Sequence, residues 1–295
     1  MVELKDGRVK SRLEEYNRTA ERKIEITGRQ AAPVGLYGYY QRRGNVLKFS
    51  GFGSRDENNN AINGRIGEEE GERSLAYGQE AARGACLNFI NNLAVACHGD
   101  LDAVKHVAIR VDINSSPAFK KLPDVANGAS QLLLEVFGKY VGRPERTAAG
   151  SSSLPNDMSV EITGEVIITD QLAAHLDLLD MQRLAATLTA VNSMIGPVPR
   201  SETHKAVVSR LRNATSFTED DKEMLEQYTD RLLSKLGAMS DEEVNGKLAE
   251  NSHAALEGAV SRQDLIDKIS YEAQEAHLAV GAGREYAKDK PALHR

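Results

Sequence analysis

Tryptophan is absent from this 295-residue sequence, cysteine occurs only twice, and no apolar run approaches the roughly 20 residues that a membrane-spanning helix needs. The opening residues, MVELKDGRVKSRLEEYNR, carry too many charges for a signal peptide. These absences favour a cytoplasmic protein without a membrane partner.

The two cysteines, Cys86 and Cys97, lie at helical spacing within one apolar segment. Small buried thiols are typical of such positions. A zinc site would gather three or four ligands, and the histidines are scattered without a ligand-like cluster. The sequence therefore favours neither a disulfide nor a metal site.

The sequence also lacks a large excess of either charge, since 43 acidic residues against 37 basic ones give a net charge of −6. This balance offers no electrostatic reason to expect sequence-independent nucleic-acid binding, although it does not exclude a local basic patch. With 41% hydrophobic and 27% charged residues, the composition is that of a globular protein.

The length and a change of texture near residue 170 predict two domains after an N-terminal helix or arm at residues 1–30. Residues 31–169 alternate strand and helix patterns, which predicts an α+β domain. Its expected elements are a hairpin around NVLKFSG, a helix from Ser74 to His98, a strand at 104–113, a helix from Val125 to Tyr140 and a strand at 159–168.

Residues 170–295 lose the β-branched alternation and read as four or five capped helices. Thr218, Ser240 and Ser261 are the expected N-caps of three of them. We expect a helical domain or a set of helical extensions, whose apolar positions form a core of their own or pack on the first domain.

Three clusters in the first domain combine turn glycines with polar side chains: APVGLYGYYQ with KFSGFG, VANGAS, and GRPERTAAGSSSLP followed by SVEI. In this order they resemble the Rid family of reactive-intermediate deaminases, also called YjgF-like or endoribonuclease-like. The resemblance spans residues 31–169 and rests on Ala-Pro at 32–33, Tyr37, Ser-Gly at 50–51, Asn127, Pro-x-Arg ending at Arg146, Leu-Pro at 154–155 and Val-Glu-Ile at 160–162. GQEAARGACLNFINNL and VANGASQLLLEVFG are similar to a divergent branch of it.

The resemblance implies a chorismate-mutase-like fold, trimers with pockets between subunits, and a site for a small carboxylate-bearing substrate. It makes Arg146 the carboxylate anchor and Glu161 the group that holds or activates water, both catalytic. Substrate-binding positions would be Tyr37, Ser50, Gly51, Phe52 and Asn127. Taken alone, Arg146 and Glu161 are more typical of a structural ion pair, Tyr37 of packing, Ser50 and Gly51 of a turn, and Asn127 of a helix N-cap.

Two positions depart from the family pattern. Ala148 stands where typical deaminases carry cysteine, and Phe52–Gly53 replaces their Gln-Ile type continuation. Both changes indicate that the usual substrate is altered or lost.

The sequence thus predicts a cofactor-independent hydrolase of a small imine or enamine. The alternative is a non-catalytic module that senses a metabolite, with the helical region as its partner or assembly element. Ribonuclease activity fits the acidic balance poorly, and the sequence offers no histidine-based acid and base pair for it.

Overall fold

A computed structural model describes residues 2–28, 37–56, 58–196, 198 and 202–278, with the side chains of 202–205 and 207 left aside. The chain divides into two compact units, Met1–Ala173 and Ala174–Arg295. Among the described residues, no helix has the length and apolar character needed to cross a bilayer.

The first unit is built on one five-stranded sheet of order β1-β2-β5-β3-β4. β3 and β4 run parallel, whereas the other neighbouring strands are antiparallel. The strands are β1 (Tyr40–Arg43), β2 (Val46–Gly53), β3 (Val104–Asn114), β4 (Glu145–Ser151) and β5 (Val160–Ile168).

Two long helices, α2 (Leu75–Ala96) and α3 (Leu122–Val141), cover one face of this sheet, which we call the helix face. Alternate residues of the central strands are buried against them, among them Val111 and Ile162. The intervening residues, including Asp112 and Glu161, point to the opposite face, since successive strand side chains alternate. α2 and α3 cross closely: a side chain at Gly128 would overlap the backbone carbonyl of Gln79.

An N-terminal helix, α1 (Arg8–Thr19), also belongs to the first unit. The Asp102 carboxylate accepts from the backbone N–H groups of Arg8 (2.6 Å) and Val9 (2.8 Å), so a residue from the body of the unit caps the start of α1. The predicted N-terminal segment is therefore bound to the first unit.

The second unit is helical and contains most of α4 (Asp170–Ile195), then α5 (Glu202–Leu211), α6 (Glu219–Gly237), α7 (Asp241–Ala249) and α8 (Arg262–Glu275). Its buried apolar side chains form a core cluster that draws on all five helices, with Leu188, Leu232 and Ile269 fully buried. The predicted caps are present, because the hydroxyl oxygens of Thr218, Ser240 and Ser261 each accept a backbone N–H three residues ahead.

The structure differs from the predicted elements in two places. The partner strand of NVLKFSG precedes it, so the hairpin turns at Gly44 and Asn45 rather than in the glycine-rich loop that follows. Residues 145–151, to which the sequence patterns assign no element, form edge strand β4. Ala32 and Pro33 of the resemblance lie outside the described residues.

Candidate functional site

Arg146 lies near the start of β4, on the helix face, because its neighbour in the register is the buried Ile109 of β3. Its Nη1 donates to Asn127 Oδ1 at 2.9 Å and to Ser130 Oγ at 3.0 Å, both on α3. We call these three residues the arginine group. One nitrogen of the guanidinium is thereby anchored, and no other partner of it lies among the described residues, so the rest of the five-donor fork is available to a carboxylate.

Asn127 is not the N-cap that its residue type alone would allow, since α3 begins five residues earlier. It lies in the second turn, and Ser130, three positions on, shares its side of the helix. The sequence places Ser130 in the VANGAS cluster but gives it no role. The structure brings its hydroxyl to the guanidinium.

Glu161 lies on β5, directly opposite Asp112 of β3, and both side chains point away from the helices. The glutamate is half-buried, and a side chain at Gly51 would overlap its Oε1, so the carboxylate lies directly on the backbone of β2. We call Glu161, Gly51 and Asp112 the glutamate group. Burial raises the pKa of Glu161, and the charge of Asp112 raises this pKa further.

Within one chain, Arg146 and Glu161 lie on opposite faces of the sheet. The expectation that both side chains reach one anion is therefore wrong for a single copy. The physical reason is strand parity: Arg146 is level with the helix-facing Ile109, whereas Glu161 is level with Asp112, three positions along the same strand.

The remaining predicted residues gather near the other edge of the sheet, around β1 and β2. Tyr37 is 47% exposed, and its ring meets Tyr39 edge-on with centroids 6.2 Å apart. Ser50 Oγ donates to the carbonyl of Gly38 at 2.7 Å, so this hydroxyl connects β2 to the segment that precedes β1.

Phe52 is the predicted pocket residue that the structure corrects. Its side chain is only 2% exposed, stacks on Tyr39 at 5.5 Å and packs against Phe89 of α2. It belongs to the core because the irregularity in β2 between Phe49 and Phe52 turns both rings to the helix face. Phe52 thus supports Tyr39 rather than lining an open surface.

Ala148, the residue that replaces the usual cysteine, follows Arg146 by two positions on β4 and points to the same face. The space beside the guanidinium consequently has a methyl group where a thiol would stand. The chain's own thiols lie elsewhere: Cys86 and Cys97 are free and buried, and burial raises the pKa of Cys97 to about 12. No cluster of three or more potential metal-binding side chains occurs in the described part of the chain.

Comparison with known proteins identifies the family. The chain is 39% identical over 133 residues to Protein TCP17 of Trypanosoma cruzi, which covers 45% of this chain and 81% of that protein. A structure of Agrobacterium tumefaciens protein Atu1372, whose function is unknown, is 30% identical, covers 55% of this chain and 92% of its own, and has a TM-score of 0.46. RidA from a Psychrobacter species is 22% identical, covers 50% and 100% respectively, and has a TM-score of 0.33. The chain therefore belongs to the same family as TCP17, and about half of it is similar in fold to solved Rid/YjgF-like structures.

The similarity to Rid-like structures covers about half of the chain and does not include the helical region. No family model matches the chain. Since the family motifs and the α+β sheet fall in the same unit, the arginine and glutamate groups both belong to the Rid-like part.

Proposed function

We propose that this protein hydrolyses a small imine or enamine that carries a carboxylate, and that two neighbouring chains complete the site. The observation that carries the proposal is Arg146, partly buried and held by two neutral partners while most of its donors stay unpaired among the described residues. An arginine whose partners among the described residues are all neutral is suited to bind a carboxylate from outside the protein.

The arrangement of the two groups supports a shared site. The arginine group lies at the β4 edge on the helix face, whereas the glutamate group lies inward on the other face, and Tyr37 and Ser50 lie toward the β1 edge. One small molecule can meet both groups only if the β4 edge of one copy approaches the other face of the next. A cyclic homotrimer, which the family resemblance implies, would repeat such a contact three times.

The reaction balances with water alone. Water adds to the carbon of the C=N bond while Glu161, as carboxylate, takes one of its protons. The glutamate returns that proton to nitrogen, which gives a carbinolamine. It then takes the hydroxyl proton as the C=O bond forms and passes it to nitrogen as the C–N bond breaks, so that ammonia leaves together with a keto acid. Because the imine carbon is already electrophilic, positioning and one proton carrier are the main requirements.

A metabolite-binding module without catalysis is the second candidate. The separation of Arg146 from Glu161 within one chain and the loss of the thiol at Ala148 both favour it. In either case we expect a small-molecule partner rather than nucleic acid, and a cytoplasmic location as the composition predicts.

The test uses full-length protein and imino acids generated in place by an amino-acid oxidase, with ammonia and keto acid followed over time. The wild type is expected to accelerate release, and Arg146→Ala to lose at least tenfold of that acceleration, since one charged anchor contributes about 1.5–3 kcal/mol. Arg143→Ala removes an exposed arginine three residues away and serves as the matched control.

Calorimetric titration with a 2-keto acid separates the two candidates. Binding without acceleration, lost in Arg146→Ala, supports the sensing module. Neither binding nor acceleration by the wild type would overturn both.

A further inference from the structure

Arg110 and Asp112 form a forked ion pair on the face of the sheet that carries Glu161. Arg110 Nε donates to Asp112 Oδ2 at 2.9 Å, and Arg110 Nη2 donates to Asp112 Oδ1 at 2.9 Å. The two residues are neighbours on one face of β3, and the aspartate side chain is only 18% exposed. A two-point contact of this kind fixes the plane of the carboxylate as well as its distance.

The fixed carboxylate stands directly across from Glu161. Asp112 and Glu161 are paired in the antiparallel register of β3 and β5, where opposite side chains lie side by side. On the other flank Gly51 leaves no room between its backbone and Glu161 Oε1. The glutamate is therefore held between a glycine and a second carboxylate.

We infer that Asp112 and Arg110 are positioning residues that hold Glu161 and govern its proton uptake in the reaction proposed above. Two carboxylates placed side by side resist being charged together, so Asp112 favours the protonated form of Glu161. Arg110 opposes this effect because it neutralises Asp112. The pair thus acts through Glu161 and need not touch the substrate.

The other charged groups on this face lie further along the strands. On β2 the nearest is Lys48, which is opposite Glu165 of β5. On β4 it is Glu145, which is level with Ala108 of β3 and whose Oε2 lies 3.5 Å from His106 Nε2. Glu165 is four residues from Glu161, roughly 13 Å along an extended strand, where solvent screening is strong.

The experiment measures kcat/KM for imine hydrolysis between pH 4.5 and 9 in full-length wild type, Asp112→Asn, Arg110→Gln and Glu165→Gln. A base works when ionised, so a lower proton affinity of Glu161 extends activity to lower pH. Asp112→Asn should raise the ratio of activity at pH 5 to activity at pH 8 by about threefold or more, and Arg110→Gln should lower it similarly. Glu165→Gln, a carboxylate lost from the same strand and face, should leave the ratio unchanged.

Opposite displacements in the first two variants cannot come from a general loss of folding, which would lower activity at every pH alike. The inference is overturned if both variants keep the wild-type profile or move it in the same direction. If the wild type hydrolyses no imine, the proposed function fails but this inference is still testable, because the ¹³C signal of the Glu161 carboxyl carbon, assigned with Glu161→Gln, reports its titration directly. The same order of the variants is expected there.

Discussion

Arg146 is the side chain on which the proposed chemistry most depends, and its orientation rests on two hydrogen bonds from one nitrogen. The sequence predicts the arginine and Asn127 from the family motifs. It does not predict Ser130, because a serine three residues along a helix is common, and only the approach of α3 to β4 gives it a partner. The sequence does not predict the role of Asp112 for a similar reason. Neither strand alone reveals the register that pairs Asp112 with Glu161.

Asn127 and Ser130 are uncharged, so replacing either should weaken ligand binding without changing the charge of the site. We expect Asn127→Ala and Ser130→Ala each to weaken 2-keto-acid binding by about three- to tenfold, because a hydrogen bond to a charged group contributes about 1.5–3 kcal/mol and exposure reduces it here. The double variant should exceed either single one. Isothermal titration of the three variants checks this, with Gln131→Ala on the same helix as control. Unaltered affinity in the double variant would show that these contacts do not orient the arginine.

At the scale of elements, the packing of α2 on α3 determines where Asn127 and Ser130 stand relative to β4. The approach is close because Gly128 has no side chain, and a methyl group there would overlap the Gln79 carbonyl. Sequence periodicity predicts both helices, since their apolar residues recur at helical spacing. It does not reveal the crossing, because a glycine inside a helix pattern reads only as a weak point.

Two glycine replacements distinguish close packing from helix propensity. Gly128→Ala should lower the free energy of unfolding of the first unit by about 1–3 kcal/mol, because overpacking outweighs the better propensity of alanine. Gly246→Ala, on α7, meets no neighbour within 4 Å and should stabilise the second unit by about 0.5–1 kcal/mol. Urea unfolding, followed by unit-specific probes, measures both. Equal stabilisation by the two changes would mean that α2 and α3 are free to separate.

The strand β4 shows where element prediction from sequence reaches its limit. Among its residues, ERTAAGS, only Thr147 has the β-branched side chain that favours strands. Parallel pairing to β3 holds it in the sheet, and that pairing joins residues more than thirty positions apart. The local pattern of these residues therefore does not predict the strand.

At the scale of the whole molecule, the motifs identified the Rid-like unit, and the capping residues located the later helices. Neither source assigns the helical unit a role, since its core is closed by its own side chains and no family motif occurs in it. The candidate functional residues all lie in the first unit, where the arginine group and the glutamate group lie on opposite faces of the sheet. In the proposed hydrolase, the two groups can meet one substrate only if several copies associate.

The most direct test of this account mixes two inactive variants, Arg146→Ala and Glu161→Gln, as co-expressed full-length chains whose mixed assembly is verified by native mass spectrometry. If adjacent chains of a trimer contribute one group each, random mixing gives about one quarter of the sites an intact arginine and an intact glutamate. Imine hydrolysis should then return to about a quarter of the wild-type rate, while each variant alone stays inactive. Mixed trimers without activity, alongside an active wild type, would show that one chain supplies both residues and would contradict the shared site.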